Sequence, residues 1–250
     1  VIHSSYILAR QAGIMPRFAN PEERLPDAEC YFLPNALGRA YLTIERWEEL
    51  KAKVRAGATL YLSWNDTFLD AMEEVGGIEV AFRQVTGGSN VCDFGDFKHT
   101  FGYSVKRRFN ALTAETLAKN QDGEGVFFRN RYGKGTVYVF IHNFEKTYYG
   151  AAGKYEGDAW KVWAKVCPVN RLIQTGDKNV FVSEHCFGGD RYGVVVVNNG
   201  ARTYSGTPQL GKNWRVTRAL TDAPDDAKWE EGKLILAPCA GLLLMAEKSQ

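Results

Sequence analysis

The sequence predicts two domains: an α/β layer over residues 1–168 and a small antiparallel β-sandwich over residues 169–250. Three observations carry this reading. Strand-like apolar runs alternate with helical periods over residues 30–85, the grammar of a parallel sheet covered on both faces by helices. After Gly87 the pattern changes to short strands joined by glycine-containing turns, which read as antiparallel hairpins. Beyond Pro168 no helical period remains, and strands recur at turn-punctuated intervals as they do in a sandwich.

The elements follow in order. Residues 4–13 (SSYILARQAG) read as a short helix with a serine at the cap and Gly13 at its end. Residues 14–19 (IMPRFA) read as a strand that Pro16 confines to an edge. CYFLPN, residues 30–35, is a buried strand expected to stop at Pro34. From Thr43 a helix begins in which Ile44, Trp47, Leu50 and Val54 form one apolar face. Glu45 and Glu48 lie early in it and Lys51, Lys53 and Arg55 late, the order favoured by the helix dipole, and Gly57 closes it. ATLYLS is the next strand, residues 67–75 the next helix, and GIEVAFRQV the strand after that. Turns at Asp122-Gly123 and at Gly133-Lys134-Gly135 divide the hairpins, and a last helix spans residues 158–166. NVFVSEHCF, RYGVVVVNN, WRVTRAL, KLILAP and AGLLLMAE are the strands of the sandwich.

Composition removes several classes of function. The apolar fraction of 45% and charged fraction of 24% are those of an ordinary globular protein. A net charge of +2 provides no strong field for nucleic acid or an anionic membrane, so neither is expected as a partner. No apolar run reaches the roughly 18 residues that a spanning helix needs. The opening VIHSSYILARQAG has no signal-peptide pattern, and it starts without Met, which reads as a piece of a longer chain. A doubly wound domain would also have a strand before Ser4, and none is found. Five widely spaced cysteines without a C-x-x-C argue against a disulfide framework and a structural zinc site alike. They read as reduced, mostly buried thiols, which leans towards the cytoplasm, although a parent protein could be exported.

Ser63 stands at a strand-to-helix junction, where a nucleophile elbow would need the pattern G-x-S-x-G. Tyr61 and Asn65 occupy the glycine positions, so Ser63 reads as a strand end. GKGT at Gly133 fails as a phosphate loop because Arg129 stands where a glycine is required. KGTVYVF lacks the stacking aromatics of an RNA-binding strand, and Lys106, Arg107 and Arg108 read as a solvated strand face. His3, His99, His142 and His185 show neither i, i+4 spacing nor clustering with acids, so no metal and no cofactor is expected. Glycosidases draw their two carboxylates from distant positions, and Glu145 (in HNFE) and Glu184 (in VSEH) are the two catalytic candidates. The alternative for each is a hydrogen-bonded acid at a strand end. Trp64, Asn65 and Asp66 follow a strand at its carboxyl end, where open α/β sheets place ligand crevices. An indole beside an amide and a carboxylate suits a sugar, and His142 is a fourth substrate-binding candidate; Trp64 capping the core is the alternative.

CYFLPNALGRAYLTIERWEELKAKVRAGATLYLS resembles the strand, helix and strand of the glutamine-amidotransferase-like middle domain of multidomain glycoside hydrolases, best known from β-galactosidases with a trimerisation domain. AETLAKNQDGEGVFFRNRYGKGTVYVFIHNFE is similar to the closing hairpin of that domain. FVSEHCFGGDRYGVVVVNN and the strands after it resemble the small C-terminal β-domain that follows. The resemblance implies a flavodoxin-like (class I glutamine-amidotransferase-like) layer with a β-hairpin insertion. It implies a non-catalytic C-terminal portion of a glycoside hydrolase, with the catalytic acids on an upstream (β/α) barrel. The partners implied are that barrel, carbohydrate and a second copy of the chain in a homo-oligomer. A stand-alone carbohydrate-binding or assembly module is the alternative, and a glycosidase acting through Glu145 and Glu184 is the third reading.

Overall fold

The computed structural model describes residues 2–36, 42–64, 69–149 and 157–248. The chain divides into two compact units, Val1–Leu8 with Arg17–Cys167 and Ala9–Pro16 with Pro168–Gln250. Strand far outweighs helix.

The first unit is built on one seven-stranded sheet. Its strands are β1 (Cys30–Ala36), β2 (Thr59–Trp64), β3 (Ile78–Asp93), β4 (Lys98–Ala111), β5 (Glu115–Asn120), β6 (Gly125–Tyr132) and β7 (Gly135–Phe140). They lie in the order β1-β2-β7-β6-β5-β3-β4. Only β1, β2 and β7 pair in parallel, and every other neighbour is antiparallel. The sheet is therefore mixed, where the alternation of strands and helices led to the expectation of a parallel one. The cause is the long β3–β4 hairpin, laddered from Ile78↔Ala111 to Asp93↔Lys98. Gly87 and Gly88 do not break this ladder; the register shifts between Val85 and Gly88, and the Tyr103 ring fills the space where a Gly88 side chain would stand.

Local chemistry explains the helices. In α2 (Ile44–Ala56) the Thr43 hydroxyl accepts from the Arg46 amide at 3.2 Å, and Gly57 closes the helix at φ +133°. Trp47, Leu50 and Val54 are buried as the period predicts, but Ile44 is exposed and Lys51 takes its share of the buried face. The Lys51 stem packs inward while its ammonium reaches Glu48 at 2.6 Å. The turn from Gly133 to Gly135 packs on the end of α2, with the Lys134 amide donating to Arg55 O at 2.9 Å. That contact accounts for GKG without any phosphate. Three short helices complete the unit: α3 (Met72–Gly76), α4 (Phe144–Tyr149) and α5 (Trp160–Val166). Two expectations differ in β1 and just before it. Pro34 does not end β1, because an edge strand tolerates a missing donor, and the ladder resumes at Ala36↔Trp64 after Asn35 turns to φ +56°. Residues 14–19 form no strand.

The second unit holds β8 (Ile173–Gln174), β9 (Val180–Cys186), β10 (Arg191–Asn198), β11 (Tyr204–Gly206), β12 (Gln209–Leu210), β13 (Trp214–Leu220), β14 (Ala227–Glu230), β15 (Lys233–Leu236) and β16 (Gly241–Lys248). They form antiparallel sheets in the orders β13-β16-β10-β9, β11-β15-β14 and β12-β8. Period-2 alternation sends Val194, Val196, Leu242, Leu244, Leu234 and Leu236 into one shared core. Residues 9–16 belong to this unit. They carry the end of α1 (Ile2–Gln11), closed by Gly13 at φ +75° with Ile14 N donating to Ala9 O. The Arg10 guanidinium donates to Val182 O at 3.1 Å and to Ser183 Oγ at 3.0 Å, and Arg171 donates to Gly13 O at 2.8 Å. No helix of the described residues is long and apolar enough to cross a membrane.

Candidate functional site

The parallel strands β1, β2 and β7 end at one edge, and the polar groups of interest gather there. Strand alternation sorts β2 into two faces: Tyr61 and Ser63 on one, Leu60, Leu62 and Trp64 on the other. On the first face, Glu145 in the first turn of α4 points its carboxyl at β2. Tyr61 Oη donates to Glu145 Oε1 at 2.8 Å, and Ser63 Oγ makes a close hydrogen bond with Oε2. Ser63 Oγ also accepts from the Asn35 amide at 2.6 Å, a bond made possible by the left-handed turn at Asn35. All three side chains are fully buried.

Burial pushes the Glu145 carboxyl above its ordinary range, against the opposing pull of Ser63, its own amide, Tyr61 and Trp163. The Tyr61 phenol is pushed well above its ordinary value by burial first and by the Glu145 charge second. The cluster is closed by rings: Phe32 lies 5.5 Å and Trp163 5.7 Å from Tyr61. Ser63 thus has a carboxylic partner but no imidazole among its hydrogen bonds, which is not the arrangement that activates a nucleophile.

The other face of β2 borders a cleft of about 740 Å³. Trp47, Trp64 and Phe109 supply its aromatic wall, with Asp70, Glu73 and Glu79 among the polar lining. Trp64 is 5% exposed and packs on Phe109 at 5.3 Å, and the Trp47 indole donates to Asp70 O at 2.9 Å. Asn65 and Asp66 lie outside the described residues. Ser63 and Trp64, adjacent in sequence, therefore serve opposite faces of the sheet.

His142 follows β7 and sits in an aromatic nest, with Phe101 at 4.2 Å, Tyr103 at 5.9 Å and Phe140 at 6.3 Å. Burial, then the charge of Arg107, pushes its imidazole down to about 3. Glu184 belongs to the second unit, where Oε1 accepts from the Leu172 amide at 2.6 Å and Oε2 lies 3.9 Å from Arg171. Among the described residues no three His, Cys, Asp or Glu side chains gather as a metal site requires. Sequence reasoning missed Tyr61, Asn35 and Trp163. Only Tyr61 left a signal, two residues before Ser63 and so on the same face.

No protein-family model matches the chain, and no curated protein matches it in sequence. Solved structures do. A β-galactosidase from Bacillus circulans sp. alkalophilus superposes with a TM-score of 0.64 at 19% identity, over 98% of this chain and 37% of its own. The cold-adapted β-galactosidase from Rahnella sp. R3 gives 0.69 at 17% identity, over 98% and 36%. An α-L-fucosidase isoenzyme 2 from Paenibacillus thiaminolyticus gives 0.65 at 10% identity, over 99% and 45%. The likeness is one of fold. This chain spans little more than a third of the β-galactosidases it matches.

Proposed function

We propose that this chain is the non-catalytic C-terminal portion of a glycoside hydrolase, with a flavodoxin-like, amidotransferase-like layer that supports an upstream catalytic barrel and contributes oligomer contacts. The observation that carries the reading is the coverage: nearly the whole chain superposes on little more than a third of each β-galactosidase. The state of the two catalytic candidates supports it as well. A glycosidase needs one carboxyl group that reaches the glycosidic oxygen and a second at a set separation from it. Glu145 is fully buried under Tyr61 and Ser63, and Glu184 is occupied by Leu172 and Arg171. On this reading the isolated chain turns over no aryl glycoside, and the protein expressed from its native gene has a mass far above 28.0 kDa. A native mass near that of this chain, or turnover lost in both Glu145→Gln and Glu184→Gln with folding intact, overturns it.

The cleft beside Trp64 favours a second reading, a carbohydrate-binding or assembly module. Indoles stack on sugar faces while carboxylates take hydroxyls, and Trp47, Trp64, Asp70 and Glu73 line one cavity. Titration with oligosaccharides, followed by tryptophan fluorescence, separates the two. A saturable change that Trp64→Phe abolishes supports the module, and a flat trace at millimolar sugar removes it.

A further inference from the structure

Two cysteines that are far apart in sequence meet where β1 starts and α5 ends. Phe32 stacks on Trp163, with ring centroids 4.3 Å apart and planes 21° apart. Cys30 precedes Phe32 by two residues on the same face of β1, roughly 7 Å along the strand. Cys167 follows Trp163 by four residues on the same side of α5, about 6 Å along the axis. Its amide still donates to Trp163 O at 2.9 Å, so the helical register holds to that point. The two steps nearly match, and the stacked rings therefore bring Cys30 against Cys167. The thiols are within hydrogen-bonding reach of each other, and both are reduced and half-buried. Tyr61 packs on both rings and fixes the strand and helix in place.

We propose that Cys30 and Cys167 form a redox-active dithiol that closes to an intramolecular disulfide on exchange with a small disulfide such as oxidised glutathione. The order of attack follows from their surroundings. The hydrogen bond with Cys167, then burial, holds the Cys30 thiol far above its ordinary range, which leaves Cys167 as the attacking sulfur. Its thiolate attacks one glutathione sulfur; an S–S bond forms between them, the old S–S bond breaks and one glutathione thiolate leaves. Cys30 then loses its proton and attacks Cys167 Sγ, and the second glutathione leaves. Two electrons pass from the protein thiols to the glutathione disulfide, and the two protons end on the released thiols. Cys167 lies at a helix C-terminus, where the dipole does not favour a thiolate, so exchange is slow and quickens with pH. The remaining thiols are placed differently. Cys92 is buried, pushed up to about 12 by that burial, and donates to His99 O at 3.3 Å, while Cys186 and Cys239 are exposed. The bridge joins the edge strand of the sheet to the last helix of the first unit.

The test is equilibration of the protein with oxidised and reduced glutathione at pH 8, alkylation of the remaining thiols, and digestion without reduction. Mass spectrometry should find one cross-linked pair holding Cys30 and Cys167, lighter by two hydrogens than the separate peptides. The oxidised protein should melt roughly 5 °C or more above the reduced form. Cys30→Ser and Cys167→Ser should each remove the link and the shift, while Cys186→Ser keeps both. Recovery of Cys30 and Cys167 as alkylated thiols or as separate glutathione adducts at equilibrium overturns the proposal. So does a cross-link that engages Cys186 or Cys239 instead.

Discussion

Replacing Glu145 by glutamine keeps the shape of the side chain and removes its proton chemistry. The carboxyl takes Tyr61 Oη on one oxygen and Ser63 Oγ on the other, with no exposed surface. The protonated carboxyl carries one O–H where the amide carries two N–H groups, so the variant buries a donor without an acceptor, at about 1–3 kcal/mol. Near pH 4.5 and below, Glu145→Gln should be less stable than the wild type by that amount. The gap then depends on pH. Burial raises the folded carboxyl above its ordinary 4.5. Below 4.5 the group is protonated in both states; above it the unfolded chain releases a proton that the folded chain retains. Wild-type stability therefore falls as pH rises from 4.5 towards the folded value, by up to about 1.4 kcal/mol per pH unit. Glutamine does not titrate, so the gap should close over the same range. Urea denaturation of both proteins at half-unit steps from pH 4 to pH 8 measures it, and the histidines cancel in the difference. A gap that is flat in pH, or widens, would refute the reasoning: the carboxyl would then ionise in the fold as readily as in the unfolded chain.

Ser63→Ala should cost about 1–3 kcal/mol, because the Asn35 amide and Glu145 both lose a partner, yet leave parent turnover within a few-fold; a loss above about a hundredfold with the fold intact contradicts this. His142, pushed down to about 3, and His99, pushed down to about 4, are neutral when folded and charge below 6.5 when unfolded. Stability should be complete above 6.5 and fall as pH drops, by up to about 1.4 kcal/mol per unit for each imidazole. His142→Phe should flatten part of that slope, whereas a resonance assigned to the His142 imidazole with a midpoint near 6.5 in the folded protein would contradict the burial argument. Gly135→Ala should cost about 3 kcal/mol or more, since its Cβ would lie 2.2 Å from Ala58 O and Val54 O. Gly123→Ala, with open space but φ +79°, should cost only about 1 kcal/mol in the same thermal melts.

Residues close in sequence announced their structure well. Thr43, the 3-and-4 spacing of Trp47, Leu50 and Val54, and Gly57 define α2 from cap to cap, because capping and burial act over a few residues. The turns at Gly123 and Gly133 were legible for the same reason, as both glycines adopt positive φ. Elements such as β8, β11, β12 and β14 were not legible; two to four residues hold no period, and their partners alone make them strands.

The sequence alone also settled which residues of β2 share a face, since a strand alternates wherever it lies. It could not say what each face would meet. That Tyr61 and Ser63 close on Glu145, and Trp64 on Phe109, depends on which strands pair and how the β3–β4 hairpin is laddered. The same holds for Cys30 against Cys167 and for Arg10 against Val182. Such pairings join segments far apart along the chain, and their stability comes from the burial and hydrogen bonds of the assembled sheets. No local pattern encodes them, and so only the tertiary structure decided them.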